Sequence, residues 1–272
     1  MKFSKWLGLS AALMVTVAFA NPAEAAKCGN NSAGFEAWVQ EFKAEAAKNG
    51  IKPSVLDNVF SNVHYNVPTI RADRGQHSFK LSLDAFMKKR GSAGIVSRGR
   101  AMLKSNAALF NSIQSRFGVS PGPLIAIWGM ETGFGSYMGD QHTLSAVSTL
   151  AYDCRRTAYF TDQLYAALKL VQAGTLSVNS TGAAHGEVGQ TQFLPKNVLL
   201  YGVDGDGDGR INLAGSKADA LASTANFLKG HGWRAGAGYQ PGEPNFGAIQ
   251  GWNAATVYQQ AIAIMGKQIE GH

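Results

Sequence analysis

Residues 120–139 read Ser120-Pro-Gly-Pro-Leu-Ile-Ala-Ile-Trp-Gly-Met-Glu131-Thr-Gly-Phe-Gly-Ser-Tyr-Met-Gly139. Ser120 and Pro121 suit the N-cap and first turn of a helix, and Gly133 and Gly135 suit its end. The run between them is apolar apart from one acid, Glu131. At helical spacing Leu124, Ile127 and Trp128 share a face with it. Desolvation on such a face penalises the charged form and holds a carboxyl group toward its protonated state. An acid still protonated near neutral pH is what general-acid catalysis uses. The competing reading is a helix-terminal Glu turned to water or paired with an arginine, since acids are seldom fully buried.

Working outward, the chain reads as helices. Phe35, Trp38, Val39 and Phe42 recur at helical spacing up to Lys48, where Asn49-Gly50 makes a stop. Pro53 opens a short helix through Phe60, and a polar connection with Pro68 and Gly75 follows. Helices are expected over 77–90, over 94–117 and over 155–172, with a short apolar stretch at 144–150. Ser216-Lys-Ala-Asp219 is a capping-box variant that opens a helix to Lys229. A Gly/Pro-rich connection over 230–247 then leads to a last helix at about 254–269. No strand pattern of any length is visible, so the fold class is mainly α.

The 272 residues are enough for one large domain or two small ones. Lys2 and Lys5, the apolar stretch Trp6–Ala20 and Ala23-Glu24-Ala25 form an export signal cleaved near Ala25. Fifteen apolar residues are short for a retained membrane anchor, so stable membrane insertion is not expected. Cleavage leaves a net charge of about +6, which suits an acidic polymer such as a bacterial cell wall. No basic run interleaves with aromatics, which argues against nucleic acid. Cys28 and Cys154 could pair in an oxidising compartment and staple the N-terminal arm, residues 26–33, to the body.

Three later stretches offer polar groups. Gly189-Gln-Thr-Gln192-Phe-Leu-Pro195 places two glutamines where they could satisfy buried backbone groups or grip a sugar, the structural use being the commoner. Trp252-Asn253 with Tyr258 could wall a sugar site, or Asn253 could simply cap the last helix. Asp204, Asp206, Asp208, Arg210 (through its carbonyl) and Asn212 follow the spacing of a calcium loop of EF-hand type, with Gly209 at the sharp turn. Position 12 is Gly215, where the motif needs a bidentate acid. Weak calcium binding is expected, or a loop folded without metal through Asx-type hydrogen bonds.

In order, Ile127-Trp-Gly-Met-Glu131-Thr-Gly-Phe-Gly135, Ala151-Tyr-Asp-Cys-Arg155-Arg156, the Gly189–Pro195 block and the Asp204–Asn212 loop resemble the lytic murein transglycosylase B family. The likeness runs from about residue 35 to 268. It implies a lysozyme-like helical fold over residues 34–272, with a groove between lobes and the calcium-type loop inserted at 204–215. It also implies cleavage of peptidoglycan strands between N-acetylmuramic acid and N-acetylglucosamine; a periplasmic monomer that needs no cofactor is expected. Glu131 falls on the family's catalytic acid. Gln192, Asn253 and Tyr258 fall on sugar-site positions, and Phe86 and Gly135, the latter in the acid's block, are expected to contact substrate with them. Two departures stand out: Ala183 occupies the neighbourhood of an expected serine, and Phe86 replaces a groove tyrosine.

Glycosidases usually use two carboxylates, and no second acid stands near Glu131 in sequence. A one-acid mechanism needs a nucleophile from the sugar, and muramic acid carries an acetamido oxygen and a 6-hydroxyl. The alternatives are a wall-binding module without activity and a muramidase that admits water.

Overall fold

The computed structural model describes residues 27–75 and 81–271; the expected export signal lies outside them. At the centre is α7 (Pro121–Thr132), in which every residue from Gly122 to Met130 is buried. The face bearing Glu131 is therefore one of several buried faces, as befits a helix that is apolar all round. Ser120 takes the N-cap position, but its Oγ makes no hydrogen bond. The cap comes from afar: Glu270 Oε1, at the end of α13 (Thr256–Glu270), accepts from Gly122 N at 2.7 Å. A carboxylate there satisfies an orphan N–H and complements the positive end of the helix. The two helices approach closely because a Cβ on Gly122 would lie 2.5 Å from the Gly266 carbonyl oxygen.

The N-terminal part comprises α1 (Phe35–Lys48), α2 (Pro53–Phe60), α3 (Val67–Arg74), α4 (Leu83–Lys89), α5 (Ser92–Ser105) and α6 (Ala107–Phe117). Two expectations change here. The connection around Pro68 is a helix: Asn66 caps α3 by accepting from Thr69 N at 3.1 Å, and Pro68 sits in the first turn, where its missing N–H costs nothing. The single helix expected over 94–117 breaks at Asn106, whose Nδ2 donates to Met102 O at 2.9 Å and competes with the helical ladder. Of the helix expected over 77–90, the described part is α4, opened by Ser82.

The remainder comprises α8 (Thr143–Tyr152), α9 (Thr157–Gln172), α10 (Pro195–Tyr201), α11 (Lys217–Gly230), α12 (Phe246–Trp252) and α13. Neither α10 nor α12 was foreseen from the sequence. Two-residue strands β1 (Gln141–His142) and β2 (Thr181–Gly182) pair antiparallel, too short to leave a period-2 pattern. Cys28 and Cys154 are joined, and Gly29 N donates to Tyr152 O at 3.0 Å beside them, so the arm is stapled to the end of α8.

Candidate active site

Glu131 lies in the last turn of α7. Gly133, Phe134 and Gly135 then take positive φ values of 57°, 65° and 78°, turning the chain sharply away. Oε1 of Glu131 accepts two hydrogen bonds, from the Tyr258 hydroxyl at 2.6 Å and from Trp252 Nε1 at 3.0 Å. Oε2 takes none from a described residue. Burial pushes the carboxyl group above its ordinary 4.5; the Tyr258 and Trp252 hydrogen bonds and the Arg90 charge oppose this, and Glu187 adds to it. Because both bonds to Oε1 come from donors, the acidic proton belongs on Oε2.

Glu131 borders two adjoining pockets of about 480 and 380 Å³. They share Glu131, Ala183 and Gln192, so one groove passes across the acid. Each pocket has an exposed aromatic ring: Tyr159, 51% exposed, in the larger, and Tyr137, 68% exposed, in the smaller.

The expected sugar-site residues divide. Gln192, at φ 57°, borders both pockets and donates through Nε2 to Gly189 O (2.8 Å) and Met138 O (3.1 Å). Asn253 borders the larger pocket; its Oδ1 accepts from Ala255 N at 2.9 Å, and Ala255 rather than Asn253 is the N-cap of α13. Tyr258 is 2% exposed and presents its hydroxyl to Glu131, so its ring is no wall of the groove. Phe86 is 1% exposed and packs 5.9 Å from the Tyr258 ring, with Arg90 over both, so it supports Tyr258 from behind instead of bordering the groove. Gly135 borders neither pocket; a Cβ there would meet Gln190 Oε1 at 2.8 Å. Gln190 is structural: it accepts from Trp128 Nε1 at 3.1 Å and donates to Ala214 O at 3.1 Å.

Sequence reasoning missed the donor role of Trp252, the two rim tyrosines and a second acid, Glu187, which borders the larger pocket with Glu131. Fifty-odd residues separate the two acids, and no local pattern marks Glu187.

In the calcium-type loop, carboxylate oxygens of Asp204, Asp206 and Asp219 lie within 4.8 Å of one another. Asp219 thus adds a carboxylate from outside the motif spacing, while position 12 remains Gly215. It is 1% exposed and also accepts from Gly205 N (2.8 Å) and Asn212 N (2.7 Å). Asp208 and Asn212 turn side-chain oxygens to backbone N–H groups of Arg210 and Gly215, both at 2.8 Å. Three converging carboxylates fit a hard divalent cation such as calcium.

A helical fold built on one buried helix, ending in an acid at a groove, defines a lysozyme-like protein, and the matched structures share that fold. Residues 34–241 match the transglycosylase SLT domain family, and the chain belongs to it. Membrane-bound lytic murein transglycosylase B of Escherichia coli (strain K12) is 30% identical over 227 residues, covering 79% of this chain. The match spans 60% of that relative's own length. SltB3 of Pseudomonas aeruginosa, solved with NAG-NAM-pentapeptide, superposes with a TM-score of 0.82 at 28% identity over 88% of this chain and 80% of that one. Its complex with NAG-anhNAM-pentapeptide gives 0.80 at 29% identity over 87% and 80%. Escherichia coli Slt35, solved with calcium, shares the fold at TM-score 0.74 and 23% identity over 90% and 96%.

Proposed function

We propose that this chain is an exported lytic transglycosylase that cleaves peptidoglycan strands between N-acetylmuramic acid and N-acetylglucosamine and leaves 1,6-anhydromuramyl ends. The carrying observation is Glu131: a single carboxyl group held through one oxygen by Tyr258 and Trp252, kept toward its protonated form by burial, and open to a groove. In the first step Oε2 gives its proton to the glycosidic oxygen while the substrate's acetamido oxygen attacks the anomeric carbon. In the second, the Glu131 carboxylate takes the 6-hydroxyl proton as that oxygen displaces the acetamido group. The Tyr258 and Trp252 donors fix the carboxyl group and stabilise the charge it acquires between the steps. Tyr137 and Tyr159 offer ring faces for sugars on either side. The bound fragments of SltB3 support a peptidoglycan substrate.

Export of the mature chain to the periplasm, as a monomer, completes the reading; among the described residues no helix is long and apolar enough to cross a membrane. Calcium held by Asp204, Asp206 and Asp219 would tie the loop to the start of α11, away from the chemistry.

One observation favours a second reading, hydrolysis: Glu187 in the same pocket could activate water. Mass spectrometry of products from purified peptidoglycan decides between them. Anhydro ends support the transglycosylase; reducing ends support the muramidase.

A further inference from the structure

Glu187 has a side chain 22% exposed and lines the pocket that Glu131 borders. Ala183 N donates to Glu187 O and Gly186 N to Ala183 O, both at 3.0 Å, so residues 183–187 form a tight turn whose two ends border the pocket that holds Glu131. His185 holds both carboxylate oxygens: its backbone N–H donates to Oε2 at 2.9 Å and its Nδ1 lies 3.1 Å from Oε1. Behind the imidazole, Nε2 lies 3.7 Å from Asp73 Oδ1, and Asp73 is paired with Arg155 and Arg156. The carboxylate is thus fixed in position and faces a groove whose neighbouring position, Ala183, has no polar side chain.

We propose that Glu187 is a second catalytic residue of this cleft, whose carboxylate accepts the N–H of the substrate's acetamido group and stabilises the oxazolinium ion formed from it. The inference rests on the transglycosylase reading above. As the C1–O4 bond breaks, the Glu131 proton goes to the departing oxygen and the acetamido oxygen bonds to C1. The positive charge then spreads over a ring whose nitrogen still bears its hydrogen, and a fixed carboxylate complements that N–H more strongly than it does the neutral amide. Stabilisation that grows toward the transition state accelerates the step. When the 6-hydroxyl oxygen displaces the acetamido oxygen, its proton goes to Glu131, and Glu187 ends as it began. No water, metal or redox partner enters.

The two acids are shifted in opposite directions. Burial raises Glu187, but His185 and the backbone N–H groups of residues 185 and 187 outweigh it and leave the group below the ordinary 4.5, whereas Glu131 is raised. Environments that push two acids apart divide the roles of acid and anion between them.

The test uses Glu187→Gln in the otherwise unchanged protein, with purified peptidoglycan as substrate and the thiazoline of N-acetylmuramic acid as a stable mimic of the oxazolinium ion. The expected result is a fall in kcat of about 100-fold, with KM changed less than about threefold. Thiazoline affinity should drop about tenfold or more while affinity for a chitin tetramer holds, and the residual products should still be anhydro ends. Should Glu187→Gln fail to fold, Glu187→Asp keeps the charge, and the expected result is a folded protein with partial kcat and retained preference for the thiazoline over the tetramer. A kcat within about threefold of the parent for Glu187→Gln overturns the proposal. So does a parallel loss of thiazoline and tetramer affinity in either variant, the mark of a reshaped groove, or a parent protein whose reducing-end products vanish with Glu187. Full activity of Glu131→Gln would instead overturn the transglycosylase reading on which this proposal rests.

Discussion

Glu131 was legible because it is the one charge in a twelve-residue apolar helix, and a lone acid in such a run has either a purpose or a partner. Its environment sets two expectations. Its pKa is raised by burial, so from about 4.5 upward the unfolded chain releases a proton that the folded protein keeps, and stability falls as pH rises through the folded value. Glu131→Gln removes that loss while keeping an oxygen for Tyr258 and Trp252. Thermal denaturation should show the variant gaining over the parent as pH rises from below 4.5 toward neutrality, although it no longer lyses walls. Tyr258→Phe deletes a hydrogen bond that lowers Glu131, so the alkaline limb of the kcat/KM profile should move to higher pH and the rate should drop about tenfold. Tyr258, Phe86 and Glu187 show what residue reading lacked. Periodicity can say that a ring or an acid lies on a helix or in a glycine-rich turn, but which cavity it faces depends on elements far away in the chain.

Among elements, α7 was the easiest to bound, because Pro121 and Gly133 act locally on φ. Pro68, by the same local logic, was taken for a break, yet Asn66 makes it the first turn of α3. The α12 helix was hidden by glycines and prolines around it, and the Asn106 break by an unbroken helical pattern. The crossing of α7 and α13 positions the acid against Tyr258, and it depends on the absence of a side chain at Gly122. Gly122→Ala would put a methyl group 2.5 Å from the Gly266 carbonyl oxygen. Urea denaturation should register a loss of about 1–3 kcal/mol, the range for overpacking. An unchanged midpoint would mean that the helices part without cost.

At the scale of the whole molecule, composition and motif order anticipated a mainly helical, exported chain with one groove, and the described fold agrees on the helices and the groove. The disulfide was undecidable from sequence because pairing needs geometry. Cys28 and Cys154 close a loop with a sequence separation of 126, and Cys28→Ser should cost about 2–5 kcal/mol in denaturation under oxidising conditions, with no difference after reduction. The calcium-type loop was legible in its first positions, but the third carboxylate beside Asp204 and Asp206, that of Asp219, belongs to the following helix and was read only as part of a cap. Calcium should raise the thermal midpoint of the parent and not that of Asp219→Asn. Whether Glu131 is the proton donor and the sugar its own nucleophile is read most directly by mass spectrometry of peptidoglycan digested by the parent protein and by Glu131→Gln. The expected result is 1,6-anhydromuramyl ends from the parent and no soluble products from the variant. Reducing ends from the parent, or an undiminished digest from the variant, would contradict it.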